Sequence, residues 1–139
     1  MPPRVAFVAH SFAASDRVIV DRVKSALQEI GFDISTGEPP GTDGVASKVR
    51  RRIESADVFV SILTRRHRIS SDVYTTSPWI IEEIGYSLGH RLSRPVLILV
   101  EAGIKVPEET GGLGGDLEYF PFDSLDPEPA LMKLRQALR

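Results

Sequence analysis

Glu83 stands one helical turn after Trp79, the only tryptophan among 139 residues. The pair Ser77-Pro78 opens a helix well, with serine at the N-cap and proline at the first helical position. On that helix, which should run to about Leu92, Ile80, Ile84, Leu88 and Ile81 fall about 100° to 200° from Trp79 and form one apolar stripe. Glu82 falls near about 300°, on the solvent side, and Glu83 near about 40°, at the margin of the stripe. A carboxylate at that margin is partly desolvated and shares its side with an aromatic wall. It can serve as the partner of a nearby arginine, or it can act on a bound molecule. Other chemistries are limited by composition. Cysteine is absent, which excludes a disulfide scaffold, a thiol nucleophile and a cysteine zinc site. His10, His67 and His90 lie far apart and form no His-x-x-x-His pair, so no metal site is expected.

The elements that must position these groups follow from apolar patterning. Val5 to Ala9 is a continuous apolar run, as in a strand buried on both faces. Residues 16–30 carry Val20, Val23, Leu27 and Ile30 at helical spacing, with Ser15 as cap and Gly31 as stop. Residues 32–36 alternate like an edge strand, and a turn-rich loop occupies 37–44. Val45, Val49, Ile53 and Ala56 mark a second helix whose outer face carries Arg50, Arg51 and Arg52. That face reads as solvated, or as a contact surface for an acidic neighbour. Residues 57–64 form a third strand, 65–76 an irregular polar stretch, and 95–100 a fourth strand. Residues 117–122 form a last strand whose Pro121 suits an edge. A terminal helix carries Leu131, Leu134 and Leu138.

Strands alternating with helices imply an α/β, doubly wound, flavodoxin-like parallel sheet of five strands in order 2-1-3-4-5, with helices on both faces. Length and apolar content (42%) fit a single domain over 1–139. A net charge of −2 gives no case for nucleic acid or an anionic membrane as partner. The longest apolar run, Val96 to Val100, is too short to span a bilayer, and the N-terminus lacks a signal-peptide core. A cytoplasmic location is therefore expected. Ligands of such sheets bind outside the carboxyl ends of the strands at the topological switch point. Here that names His10, Ser11 and Phe12 after the first strand, and Thr64, Arg65 and Arg66 after the third. The segment Gly111 to Gly115 does not join a strand to a helix, so it is not a dinucleotide fingerprint.

Three blocks together, Val5 to Ser11, Ile53 to Thr64 and Ser77 to Tyr86, resemble a Toll/interleukin-1 receptor (TIR) domain of the bacterial type. The segment Asp116 to Tyr119 resembles the family's last strand, so the likeness spans nearly the whole chain. The resemblance implies an NAD(+) glycohydrolase that cleaves the nicotinamide–ribose bond, giving ADP-ribose or its cyclic form, in bacterial immune or antiphage signalling. It places the family's catalytic glutamate at Glu83, four residues after Trp79. It places the nucleotide site on the first-strand loop, His10, Ser11 and Phe12; the switch point adds Thr64 and Arg65 as substrate-binding candidates, and Trp79 could wall the nicotinamide or ribose side. The loop with Pro39, Pro40, Gly41 and Asp43 corresponds to the family's assembly loop. NAD would be the substrate, with no cofactor. Partners would be further copies of the chain, through TIR–TIR contacts, and a separate sensor or effector protein. Positions 10–12 read His-Ser-Phe where some animal members have Tyr-Arg-Arg, and the assembly loop carries two prolines.

Each residue also has a plainer role. Trp79 can be an interfacial core aromatic, Phe12 a loop residue packed under the first helix, and His10 and Ser11 a strand-end cap and turn. Arg65, Arg66 and Arg68, around His67, can meet a pyrophosphate or stay solvated. Two other functions fit the same residues: a non-catalytic TIR interaction module, and a nucleoside deoxyribosyltransferase-like enzyme, whose Glu-Ile-Gly-Tyr segment Glu83 to Tyr86 resembles.

Overall fold

A computed structural model describes residues 4–37, 47–89, 95–104 and 117–139. Strands β1 (Arg4–Ala9), β2 (Phe32–Thr36), β3 (Val58–Leu63), β6 (Val96–Glu101) and β7 (Leu117–Phe122) form a parallel sheet in the order β2-β1-β3-β6-β7. The expected order is therefore the observed one. Side-chain alternation splits the core in two. Ala6, Val8, Val60, Ile62, Leu97 and Leu99 pack against α1 (Arg17–Glu29) and α4 (Glu128–Leu138). Phe7, Ala9, Phe59, Leu63 and Ile98 pack against α2 (Ser47–Ser55) and α3 (Pro78–Gly89). Every residue of β3 is buried, as expected of a central parallel strand.

Gly31 ends α1 as expected: its φ of 97° is open to glycine, and its N–H bonds the Gln28 carbonyl. The start of α1 differs from expectation. A 3-10 turn over Ala14–Asp16 precedes the helix, and Asp16 is the N-cap without a side-chain cap bond. Ser15 is not the cap, and the Asp16 carboxylate is used elsewhere.

Residues 65–76 are also more ordered than their polarity suggests. They contain a hairpin of β4 (Arg68–Ser70) and β5 (Val73–Tyr74), with Asp72 at a φ of 64° in its turn. Backbone bonds Arg66 N–H to Thr75 C=O and Thr75 N–H to His67 C=O close its base at 2.8 Å each. Tyr74 N–H bonds the Gly103 carbonyl at 2.9 Å and ties the hairpin to the end of β6.

Helix α3 is rotated relative to the apolar stripe. Among its described side chains the buried seam is Ile80, Glu83, Ile84 and Ser87, whereas Ile81 is 46% exposed; the Leu88 side chain, expected in the stripe, lies outside the described residues. The seam keeps the i, i+3, i+4, i+7 spacing of a packed helix, but a carboxylate and a hydroxyl occupy two of its positions. Glu83 thus lies within the seam rather than at its margin, and Glu82 is exposed as expected. At the far side of the sheet, β7 is an edge strand that carries Pro121.

Candidate functional site

Glu83 is only 6% exposed, in an apolar niche. Its carboxylate lies beside Gly37, just past the end of β2. A Cβ built on Gly37 would lie 2.9 Å from Glu83 Oε2 and 3.7 Å from both Phe7 Cζ and Val49 Cγ1. Carboxylate, backbone of residue 37, Phe7 ring and Val49 therefore converge on one spot between β1, β2, α2 and α3. Among the described residues, no hydrogen bond or ion pair engages the Glu83 carboxylate. Burial pushes its pKa from 4.5 up to about 7, helped by the like charge of Glu82. The arginine partner that a structural carboxylate would have is not among the described residues.

At the carboxyl ends of β1 and β3 a second group of polar side chains forms a closed network. Thr64, 3% exposed, donates its hydroxyl to Asp16 Oδ2 at 2.8 Å. The Arg66 guanidinium donates from Nη2 to the same oxygen at 3.0 Å and from Nε to Ser77 Oγ at 3.0 Å. It also donates to Ser11 Oγ, which accepts the Ala13 N–H at 2.9 Å. One guanidinium thus joins the β1–α1 loop, the start of α1 and the residue preceding α3. The hairpin base fixes the Arg66 backbone, and the planar fork of donors suits three acceptors at fixed angles.

The remaining expected site residues divide. His10 and Phe12 meet in a tilted ring contact, 4.8 Å between centroids with 51° between the planes. His10 is 8% exposed, and its Nδ1 is bonded to the Ser11 carbonyl at 2.7 Å, which makes Nδ1 the protonated nitrogen. Nε2 is buried without a partner. Burial lowers the His10 pKa below 6.5, and nearby Lys24 adds to this against Asp21 and Asp16. Those charged neighbours belong to the α1 side of the sheet, opposite the face that holds Glu83. Arg65 is turned toward β6. Its Nε donates to the Ala102 carbonyl at 2.6 Å, its N–H to Glu101 at 2.9 Å, and its guanidinium lies over the Tyr74 ring. With Thr64 and Asp16 it borders a cleft of about 460 Å³, walled by Val18, Phe122 and Leu125. Trp79 lies in the first turn of α3, and its side chain falls outside the described residues. So do Pro39, Pro40, Gly41 and Asp43.

Two residues of the site were not singled out by sequence reasoning. Asp16 reads as an ordinary first-turn acid, and Gly37 as the first of several turn residues. Only the spacing Ser11-x-x-x-x-Asp16 within a loop at the switch point could have suggested the first. Among the described residues, no group of three or more His, Asp or Glu side chains is arranged to hold a metal, and no helix is long and apolar enough to cross a membrane.

Sheet order and site position define a doubly wound α/β protein with its polar groups at the carboxyl edge. Within that class, the profile of the TIR domain family matches residues 8–135, and the chain belongs to that family. No curated protein matches the sequence. Among solved structures, a CMP N-glycosidase of Clostridium botulinum is similar, with a TM-score of 0.66 at 14% identity over 95% of this chain and 98% of its own. A flavodoxin-like domain from Synechococcus gives 0.53 at 11% identity, over 95% and 92% of the two chains. A diflavin flavoprotein from Nostoc gives 0.51 at 11%, over 99% and 89%. At these identities the likeness is one of fold.

Proposed function

We propose that this TIR domain is an NAD(+) glycohydrolase in which Glu83 acts at the ribosyl centre. The observation that carries the reading is the carboxylate itself. It is buried, its pKa is raised to about 7, and no cation among the described residues neutralises it. A structural acid in a core is normally paired, whereas an unpaired one in an apolar niche is the kind of group that active sites use. Trp79, one turn earlier, would wall the nicotinamide or ribose side.

Glycosidic cleavage of NAD makes modest demands on the protein. The bond from ribose C1′ to the pyridinium nitrogen breaks with its electron pair moving to that nitrogen, so nicotinamide departs neutral and needs no general acid. Positive charge develops on C1′ and the ring oxygen. An ionised Glu83 near the ribose hydroxyls would stabilise that oxocarbenium-like state, as carboxylates do in glycoside hydrolysis. The cationic pyridinium of the substrate would also favour the ionised form of a carboxyl that burial otherwise keeps half protonated near neutral pH. Water adding at C1′ and losing a proton gives ADP-ribose; attack by a group of the substrate itself gives a cyclic product.

The test is nicotinamide release from NAD at high protein concentration, with the products read by mass spectrometry. Wild type should release nicotinamide and Glu83→Gln should not; full activity in Glu83→Gln would refute the assignment. A second reading draws on the CMP N-glycosidase whose fold is similar: cleavage of a nucleotide or deoxynucleoside with an uncharged base at the same carboxylate. Running CMP and deoxynucleosides beside NAD separates the two. A protein that assembles yet leaves all of them intact would be a TIR interaction module.

A further inference from the structure

We propose that Gly37 is a positioning residue for Glu83: the side chain it lacks leaves the volume in which the carboxylate sits. The inference rests on the reading of Glu83 as the acting carboxylate, but its geometry stands apart from the identity of the substrate.

Glycine has two common structural uses, and only one applies here. Gly31 and Gly103 adopt φ values of 97°, which other residues rarely tolerate, whereas the backbone at Gly37 is not in that region. The demand at position 37 is therefore for space. A Cβ there would make ordinary contacts of 3.7 Å with Phe7 and Val49, and a single forbidden one of 2.9 Å with Glu83 Oε2. That contact is about half an ångström shorter than van der Waals packing allows. Phe7 is fully buried and stacked on Phe59, and Val49 is buried in the same cluster, so neither can yield. The end of a glutamate side chain can. A methyl group at 37 would therefore displace the carboxylate from its niche and leave the fold intact.

The experiment uses Gly37→Ala in the full chain with three readouts: melting temperature, the Glu83 titration followed by carboxyl carbon NMR, and nicotinamide release. Expected are a melting temperature within a few degrees of wild type and a Glu83 midpoint moved from near 7 toward the ordinary carboxylate range. Turnover should fall about ten- to a hundred-fold, the scale of a misplacement of up to about 1 Å at a reacting group. Gly37→Ala with both titration and turnover unaltered would overturn the proposal. Pairing it with Glu83→Ala removes the group that the new methyl meets. The double variant should melt with Glu83→Ala, and a further loss would show that the methyl meets something else and would equally overturn it. If wild type releases no nicotinamide, the functional reading fails alone, because the titration still decides what Gly37 does.

Discussion

Replacing Glu83 with glutamine should make the protein more stable at alkaline pH and leave it nearly unchanged at acid pH. The folded-state value of Glu83 is raised above its unfolded value, from 4.5 to about 7. A carboxyl of this kind holds its proton more tightly in the native state, so its contribution is most favourable below about pH 4.5. It is then lost as pH rises through 7. The full difference corresponds to about 3 kcal/mol, a large share of the roughly 5–15 kcal/mol by which a domain is stable. The substitution Glu83→Gln suits the comparison because it keeps the shape of the protonated acid and cannot ionise. The stability difference between the two proteins should open from near zero at about pH 4 to about 3 kcal/mol at about pH 8. Urea unfolding at four pH values reads it directly, and subtraction removes every other titrating group. A difference that stays constant with pH would refute the reasoning, since it would mean that Glu83 ionises in the folded protein as freely as in the unfolded chain.

Two further outcomes are expected. Asp16→Ala or Arg66→Ala should each cost about 3 kcal/mol in urea unfolding, because each leaves a mostly buried charge without its partner; Arg66→Lys should recover only part of this, since an ammonium lacks the fork that reaches Ser77 and Ser11. His10 should act in the opposite sense to Glu83: its folded value lies below 6.5, so its contribution is present above pH 6.5 and lost as pH falls below that. His10→Leu should therefore flatten the loss of stability as pH falls below about 6.5, measured in the Glu83→Gln background so that the two opposing slopes do not cancel.

Much of the scaffold was legible in the sequence because burial on both faces leaves a plain mark. Val5 to Ala9, Val58 to Leu63 and Val96 to Val100 are nearly unbroken apolar runs, and each is a strand. The hairpin at 68–74 left no such mark, because its residues are exposed or half-buried and it is held by backbone bonds and by Tyr74 against Gly103. The spacing from Trp79 points to Glu83 but understates its depth. Apolar residues alone would put Ile81 on the buried side, whereas Ile81 faces out and Glu83 and Ser87 face in. Asp16 and Gly37 were not legible as site residues. The use of Asp16 depends on an arginine 50 positions away, and Gly37 matters for an atom that is absent, which no residue pattern records.

Pro121 has a consequence for how the sheet ends. The Phe122 carbonyl accepts the Ala102 N–H, so Phe122 directs its backbone polar groups inward to β6 and Pro121 directs its own outward. The missing N–H of proline therefore falls on the open edge, where the sheet forfeits no bond. An incoming strand would find a gap in the donor row at that point. The β7 edge is thus guarded against strand addition and the aggregation that follows from it.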